Sequence, residues 1–275
     1  MLDTDDAIRA LRADARNAAL IEDSYLTPDI AAAARRFHTS AEFREVLGLI
    51  GPVAGKRIVD VGSGNGIAAF AFASEGASVL ALEPNLSSEF GAGAIKAITG
   101  SQRGYVVAGT GEAIPLRDHS ADVVYCRQVL HHARDLHAFV AECARVLRPE
   151  GTFIATREHV ADDARQLRLF LQHHPVHRLA GGEHAYPLST YLDAIRSAGL
   201  AKPKVIGPLD SVINAFPTAR SREELDELPP ILMKRFFGRA GRAVSVVPGV
   251  TAIIWKMLRR ARPGRMYSFV ARRTL

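Results

Sequence analysis

Two rhythms of apolar residues run along this chain. Ile58 to Val61 and Ala77 to Leu82 are short aliphatic runs bounded by a glycine-rich turn and by Glu83, the pattern of strands buried on both faces of a parallel sheet. Between them, Ile67-Ala68-Ala69-Phe70-Ala71-Phe72-Ala73 predicts a helix of small residues packed close to that sheet. Strand and helix keep alternating to about residue 158, with a helix predicted over 135–147 just before Pro149-Glu150-Gly151, which argues for an α/β fold with a parallel sheet. Upstream, residues 3–20 and 29–50 predict two helices joined by Tyr25-Leu26-Thr27-Pro28; in the second, Ile30, Ala34, Phe37, Ala41 and Val46 fall near helical spacing. Gly51-Pro52-Val53-Ala54-Gly55 punctuates the entry to the core. Downstream, residues 187–200 predict a helix ended by Gly199, Lys204-Val205-Ile206 a sixth strand and residues 266–271 the last strand. The chain therefore divides into an N-terminal helical segment (1–50), an α/β core (51–208), an insertion (209–264) and a final core strand (265–275).

The turn after the first predicted strand carries the chemistry. Glycines at 62, 64 and 66 let a ligand approach the backbone with no Cβ in the way. The spacing is G-x-G-x-G; a dinucleotide fingerprint, G-x-G-x-x-G, would need its third glycine at 67, which is Ile67. Asp60, two residues before the first glycine, would repel a pyrophosphate and attract an ammonium group. Glu83, at the end of the second predicted strand, can accept both hydroxyls of a ribose. The combination suits a ligand with an adenosine ribose and no pyrophosphate.

Three later segments join these in order and spacing: Gly109-Thr110-Gly111-Glu112-Ala113-Ile114-Pro115-Leu116, Ala121-Asp122-Val123-Val124-Tyr125-Cys126-Arg127-Gln128-Val129-Leu130-His131-His132, and Val146-Leu147-Arg148-Pro149-Glu150-Gly151-Thr152-Phe153-Ile154-Ala155. On these residues the chain resembles the class I S-adenosylmethionine-dependent methyltransferases, in their small-molecule, type 11-like branch, over roughly residues 55–200. The resemblance implies a doubly wound, seven-stranded, mostly parallel sheet of Rossmann-like type, with N-terminal helices and a helical insertion before the last strand. It implies that residues 1–50 form a lid over the cofactor. S-adenosylmethionine would lie against Asp60, Gly62, Ser63, Gly64, Asn65, Gly66, Glu83, Pro84, Gly111, Glu112, Ala113, Arg127 and Gln128, and leave as S-adenosylhomocysteine. One position departs from the pattern: Thr110 stands where many relatives carry an Asp that accepts from the adenine amino group. The donor methyl is already activated, so the protein mainly positions the acceptor and removes its proton. His131 and His132, just past the fourth strand, and His159, after the fifth, are the candidate bases. His173, His174, His177 and His184 form no metal-ligand pattern with a carboxylate or cysteine, and no metal is expected.

Charge changes the picture at one place. The formal net charge of +6 conceals a difference of sign, since residues 200–275 hold 15 Lys/Arg against 5 Asp/Glu while the rest of the chain is net acidic. Within 231–262 apolar residues interleave with Lys and Arg around Trp255, a composition fit for a substrate-covering cap or for peripheral membrane contact. Nucleic acid is the weaker partner for this segment, which has few aromatics for stacking. No apolar run reaches the roughly 20 residues of a membrane span. The acidic start, Met1 to Asp6, has no signal-peptide pattern, and two cysteines without framework spacing fit a reducing cytoplasm, including the inner membrane surface. The expected activity is methyl transfer, at oxygen, to a small-molecule or lipid-linked acceptor. Two alternatives stand beside it: a non-catalytic protein that binds S-adenosylmethionine or S-adenosylhomocysteine, and a nucleic-acid methyltransferase. The sequence leaves the oligomeric state open.

Overall fold

The computed structural model describes residues 2–99, 104–228 and 264–274, together with residues 230, 231, 233, 249, 250 and 253. Seven strands, β1 (Arg57–Val61), β2 (Ser78–Leu82), β3 (Gly104–Val107), β4 (Ala121–Arg127), β5 (Leu147–Val160), β6 (Lys204–Ile206) and β7 (Arg265–Arg272), form one sheet in the order β3-β2-β1-β4-β5-β7-β6. Neighbours from β3 through β5 are parallel; β7 runs antiparallel between β5 and β6. The chain winds outward from β1 to β3 and then returns to place β4 on the other side of β1. A crevice opens at such a reversal, beyond the carboxyl ends of β1 and β4.

Helices cover both faces. On one, α7 (Leu136–Val146) and α10 (Leu188–Ser197) bury Phe139, Cys143, Tyr191 and Ile195 against Val124, Phe153 and Phe269. On the other, α5 (Ile67–Ser74) buries Phe72 with Tyr125 and Ile154. The two helices expected over 3–20 and 29–50 are four: α1 (Thr4–Ala13), α2 (Ala18–Asp23), α3 (Ile30–His38) and α4 (Ala41–Ile50). The breaks have a local cause. The Asp14 carboxylate accepts from the Arg16 backbone N–H at 3.0 Å and Ser40 Oγ from that of Phe43 at 3.1 Å, so each side chain offers the backbone an alternative to a continuing helix. The segment expected as a lid also divides. Phe37, Phe43 and Val46 of α3 and α4 belong to the core beside Phe72 and Tyr125. Ile8, Leu11, Ile21 and Leu26 form a separate small cluster with Val176 and Leu179 of α9 (Pro175–Ala180), next to the cavity described below.

The region expected as one insertion, 209–264, begins inside the core. Arg157, buried on β5, donates from Nη1 to the carbonyls of Ile213 (2.7 Å) and Phe216 (3.0 Å). Asn214 Nδ2 donates to the carbonyls of Ile206 (2.9 Å) and Gly207 (3.0 Å), and its Oδ1 accepts from Ser268 at 2.7 Å. The short helix α11 (Val212–Ala215) is thereby tied to β5, β6 and β7. The expected membrane contact over 231–262 lies outside the described residues except at 231, 233, 249, 250 and 253. Among the described residues no helix is long and apolar enough to cross a membrane.

Candidate functional site

A cavity of about 410 Å³ opens in the crevice between β1 and β4. One wall is the turn that follows β1. Gly62 and Gly66 have φ of +68° and +81°, and a Cβ on Gly62 would lie 2.3 Å from Val129 Cγ2, so this turn needs glycine for both conformation and space. Gly66 then starts α5, with a built Cβ 3.2 Å from the Ile95 backbone.

Two carboxyl groups flank the turn. Burial raises the Asp60 carboxyl to about 7, against the hydrogen bond it accepts from Ser63 Oγ at 2.6 Å and with help from the nearby Glu83 charge. Burial also raises Glu83, whose Oε2 accepts from the Gly64 N–H at 2.7 Å and whose Oε1 accepts from that of Asn85 at 2.9 Å. Asn65 donates from Nδ2 to the Tyr25 carbonyl at 2.7 Å and so fastens the N-terminal segment to the turn. Asp60, Gly62, Ser63, Gly64, Asn65, Glu83, Pro84, Arg127 and Gln128 of the expected cofactor set all line this cavity. Gly66 stands behind it as the helix start. Gly111, Glu112 and Ala113 are not among its lining residues: Gly111 lies against the Phe139 ring, and Glu112 accepts from the Arg134 N–H at 3.0 Å. Arg127 has a partner the sequence does not reveal. Its Nε and Nη2 donate to the two oxygens of buried Glu42 at 2.8 and 3.2 Å, so Glu42 outweighs burial and keeps the guanidinium charged.

The opposite wall holds the histidines. Leu130–His132 is a single 3-10 turn that sets the His131 ring on a floor of β5. His131 Nδ1 lies 2.7 Å from Oε2 of Glu158, a wholly buried carboxylate that also accepts from the backbone N–H groups of His131 (3.1 Å) and Val129 (3.2 Å). Burial alone would lower the His131 pKa; the Glu158 and Glu183 carboxylates raise it to about 9. His132 is half-exposed and His159 buried, and burial together with the His131 charge lowers both. His159 is part of β5 rather than beyond it, and its Nδ1 donates to the Gly264 carbonyl at 2.7 Å, which leaves Nε2 as an acceptor. Burial opposes charge on Glu183, yet His131, His132 and His174 pull its carboxyl down to about 2. His174 also lines the cavity; His173 bonds back to the Leu169 carbonyl.

Glu42, Glu158 and Glu183 are the carboxylates around the cavity that pattern reasoning misses. Glu158 had a signal: Arg157-Glu158-His159 is a polar triplet that continues an apolar strand run. Glu183 and Glu42 had none, since His131 and Arg127, which they face, are 52 and 85 residues away respectively in sequence. A larger groove of about 790 Å³ between α4 and β6 gathers Arg44, Glu45, Lys204 and Asp210 but none of the residues above.

Residues 59–155 match a methyltransferase domain family. The uncharacterized methyltransferase YcgJ of Bacillus subtilis (strain 168) is 30% identical over 128 residues, 46% of this chain and 49% of its own. The ubiquinone biosynthesis O-methyltransferase of Agrobacterium fabrum is 29% identical over 164 residues, 58% of this chain and 62% of its own. The chain thus spans about half the length of the curated relatives it matches. Among solved structures, geranyl diphosphate methyltransferase in complex with S-adenosylmethionine superposes with a TM-score of 0.58 at 17% identity, covering 90% of this chain and 92% of its own, a likeness of fold.

Proposed function

We propose, for a chain whose core belongs to the class I S-adenosylmethionine-dependent methyltransferases, that it moves the S-methyl group of that cofactor to a hydroxyl of a small-molecule or lipid-linked acceptor. One observation carries the reading: Asp60, the glycine turn and Glu83 open onto the same cavity as His132 and His159. The residues suit the cofactor on physical grounds. An ammonium group beside Asp60 would return that buried carboxyl to its charged form. Each Glu83 oxygen accepts one backbone N–H and keeps capacity for a ribose hydroxyl. When bound, the cofactor supplies a methyl group already activated on a sulfonium. The chain's own work is then to orient the acceptor and take its proton. We assign that proton to Nε2 of His159, an acceptor by virtue of the bond at Nδ1; a positioned imidazole contributes about 10²–10⁴-fold. Transfer to oxygen draws support from the relatives named as ubiquinone biosynthesis O-methyltransferases. The lipid-linked class draws support from the interleaved basic and apolar residues of 231–262.

Calorimetric titration with S-adenosylhomocysteine tests the reading directly. Wild-type protein should bind one equivalent. Asp60→Ala and Glu83→Ala should each weaken binding by about tenfold or more, which is about 1.4 kcal/mol. Absence of binding by the wild type, or binding by both variants as tight as that of the wild type, would remove the cofactor from this cavity.

A further inference from the structure

We infer that His131, His132 and Glu183 form a binding site for a divalent first-row transition-metal ion of the zinc type, on the histidine wall of the cavity. The spacing of the donor atoms is the first argument. Glu183 Oε2 lies 3.5 Å from His131 Nε2 and 3.7 Å from His132 Nε2, and the three donor atoms fall within 4.8 Å of one another. These separations are long for hydrogen bonds. The two separations from Glu183 are close to the roughly 3.4 Å between ligand atoms of a four-coordinate ion with bonds of about 2.0–2.1 Å, and a bound ion would draw the two imidazole nitrogens to the same spacing.

Glu183 supplies the second argument. Its side chain is only 9% exposed, and its Oε2 is buried with no hydrogen-bond partner. A buried carboxylate oxygen that faces two imidazoles at 3.5 and 3.7 Å without a hydrogen bond from either forgoes free energy that a cation between the three groups would recover. Glu183 faces three histidines, with His174 Nδ1 at 3.7 Å from its other oxygen.

The third argument lies behind the donors. Both imidazoles point Nε2 toward Glu183 because Nδ1 is engaged elsewhere, in His131 by Glu158 at 2.7 Å and in His132 by the Gly182 carbonyl at 3.4 Å. A carboxylate or carbonyl on the far nitrogen is the usual support of a metal-bound histidine, since it fixes the tautomer and strengthens the donor. Glu158 is itself held by two backbone N–H groups, so the support is rigid. Two nitrogens and one carboxylate oxygen suit zinc, iron(II) or cobalt(II) better than magnesium or calcium, which take all-oxygen sites. Three protein ligands leave a coordination position for a molecule in the cavity. An ion here would take the place of the proton on His131 Nε2 that faces Glu183, while the proton on Nδ1 stays on the bond to Glu158. Its use, binding and acidifying the acceptor hydroxyl, rests on the methyl-transfer reading. The site itself does not.

The test uses the full chain without a histidine tag, stripped with a chelator and titrated with cobalt(II), read by visible absorption, and with zinc by calorimetry. Cofactor is left out, so a failure of S-adenosylhomocysteine to bind would bear on the proposed function alone. One tight equivalent with tetrahedral cobalt bands is expected. Glu183→Gln and the fold-tolerant change His132→Ala, at a half-exposed residue, should each weaken it at least 100-fold. Glu158→Gln should weaken it about 10–100-fold without touching a ligand. The proposal is overturned if cobalt gives no such bands with wild-type protein, as a proton-bridged network would require, or if Glu183→Gln and His132→Ala bind zinc as the wild type does.

Discussion

Asp60 shows how far burial can move a single carboxyl group. Its pKa rises to about 7 because burial outweighs the Ser63 hydroxyl, whereas an Asp in the unfolded chain titrates near 3.9. Between these values the folded protein holds a proton that the unfolded chain has released. The group's stabilising contribution is therefore complete below about pH 4 and is lost as pH climbs to 7. A bound ammonium group reverses the preference, since it favours the charged carboxylate. Two opposite trends are expected. Urea midpoints of the ligand-free protein should fall from pH 5 to pH 7 more steeply for wild type than for Asp60→Asn. Affinity for S-adenosylhomocysteine should rise over the same interval, by at most about tenfold per pH unit for one proton, and level off above 7. Asp60→Asn should abolish that rise. A parallel rise in the variant would mean that another group controls binding. The residue was legible in the sequence as a carboxylate two positions before a glycine turn. Its depressed acidity was not, because burial is a property of the neighbours that β2, β4 and α5 bring to it.

The turn between β1 and α5 illustrates what an element can reveal in advance. Three alternating glycines announced close backbone approach, and the positive φ at Gly62, Gly64 and Gly66 accounts for part of that requirement. The other part is a neighbour sixty-seven residues downstream: a methyl group at Gly62 meets Val129 Cγ2 at 2.3 Å. The two causes can be separated. Gly62→Ala should destabilise by about 1–2 kcal/mol for the left-handed backbone, plus about 1–3 kcal/mol for overpacking. Adding Val129→Ala should recover only the packing share. A double-mutant cycle of urea unfolding measures the split, and strict additivity of the two changes would show that Val129 is not the obstacle. The same distinction explains the helices. Ser40 and Asp14 are capping residues visible in the sequence, yet apolar periodicity across 29–50 and 3–20 reads through them, since a helical rhythm survives a break of two or three residues. His159 was read as lying past its strand for a related reason: after an irregularity at Thr156 and Arg157, β5 resumes its ladder with β7 at Glu158 and His159, residues too polar to resemble strand interior.

At the scale of the molecule, the parallel sheet, its switch point and the glycine-turn wall of the cavity were legible, because each depends on short-range pattern. The histidine wall was half legible: the His131-His132 pair stood out, but Glu158 and Glu183, which fix and complete it, arrive from β5 and from the approach to α10. Charge distribution is the other global property. Residues 200–275 carry 15 Lys/Arg against 5 Asp/Glu. Each Lys or Arg near an anionic bilayer is worth about 1 kcal/mol. The charge-reversal variant replaces Lys234, Arg235, Arg259 and Arg260 by Glu. Full-length wild type should sediment with vesicles containing phosphatidylserine, and less so as salt rises over a shortening Debye length. The fourfold reversal should remain in the supernatant while keeping the wild-type urea midpoint. Equal sedimentation of both proteins would separate the basic charge from any membrane role and turn the lipid-linked acceptor class toward a soluble one. Retention of wild type alone would bring the cavity to the surface where such an acceptor resides.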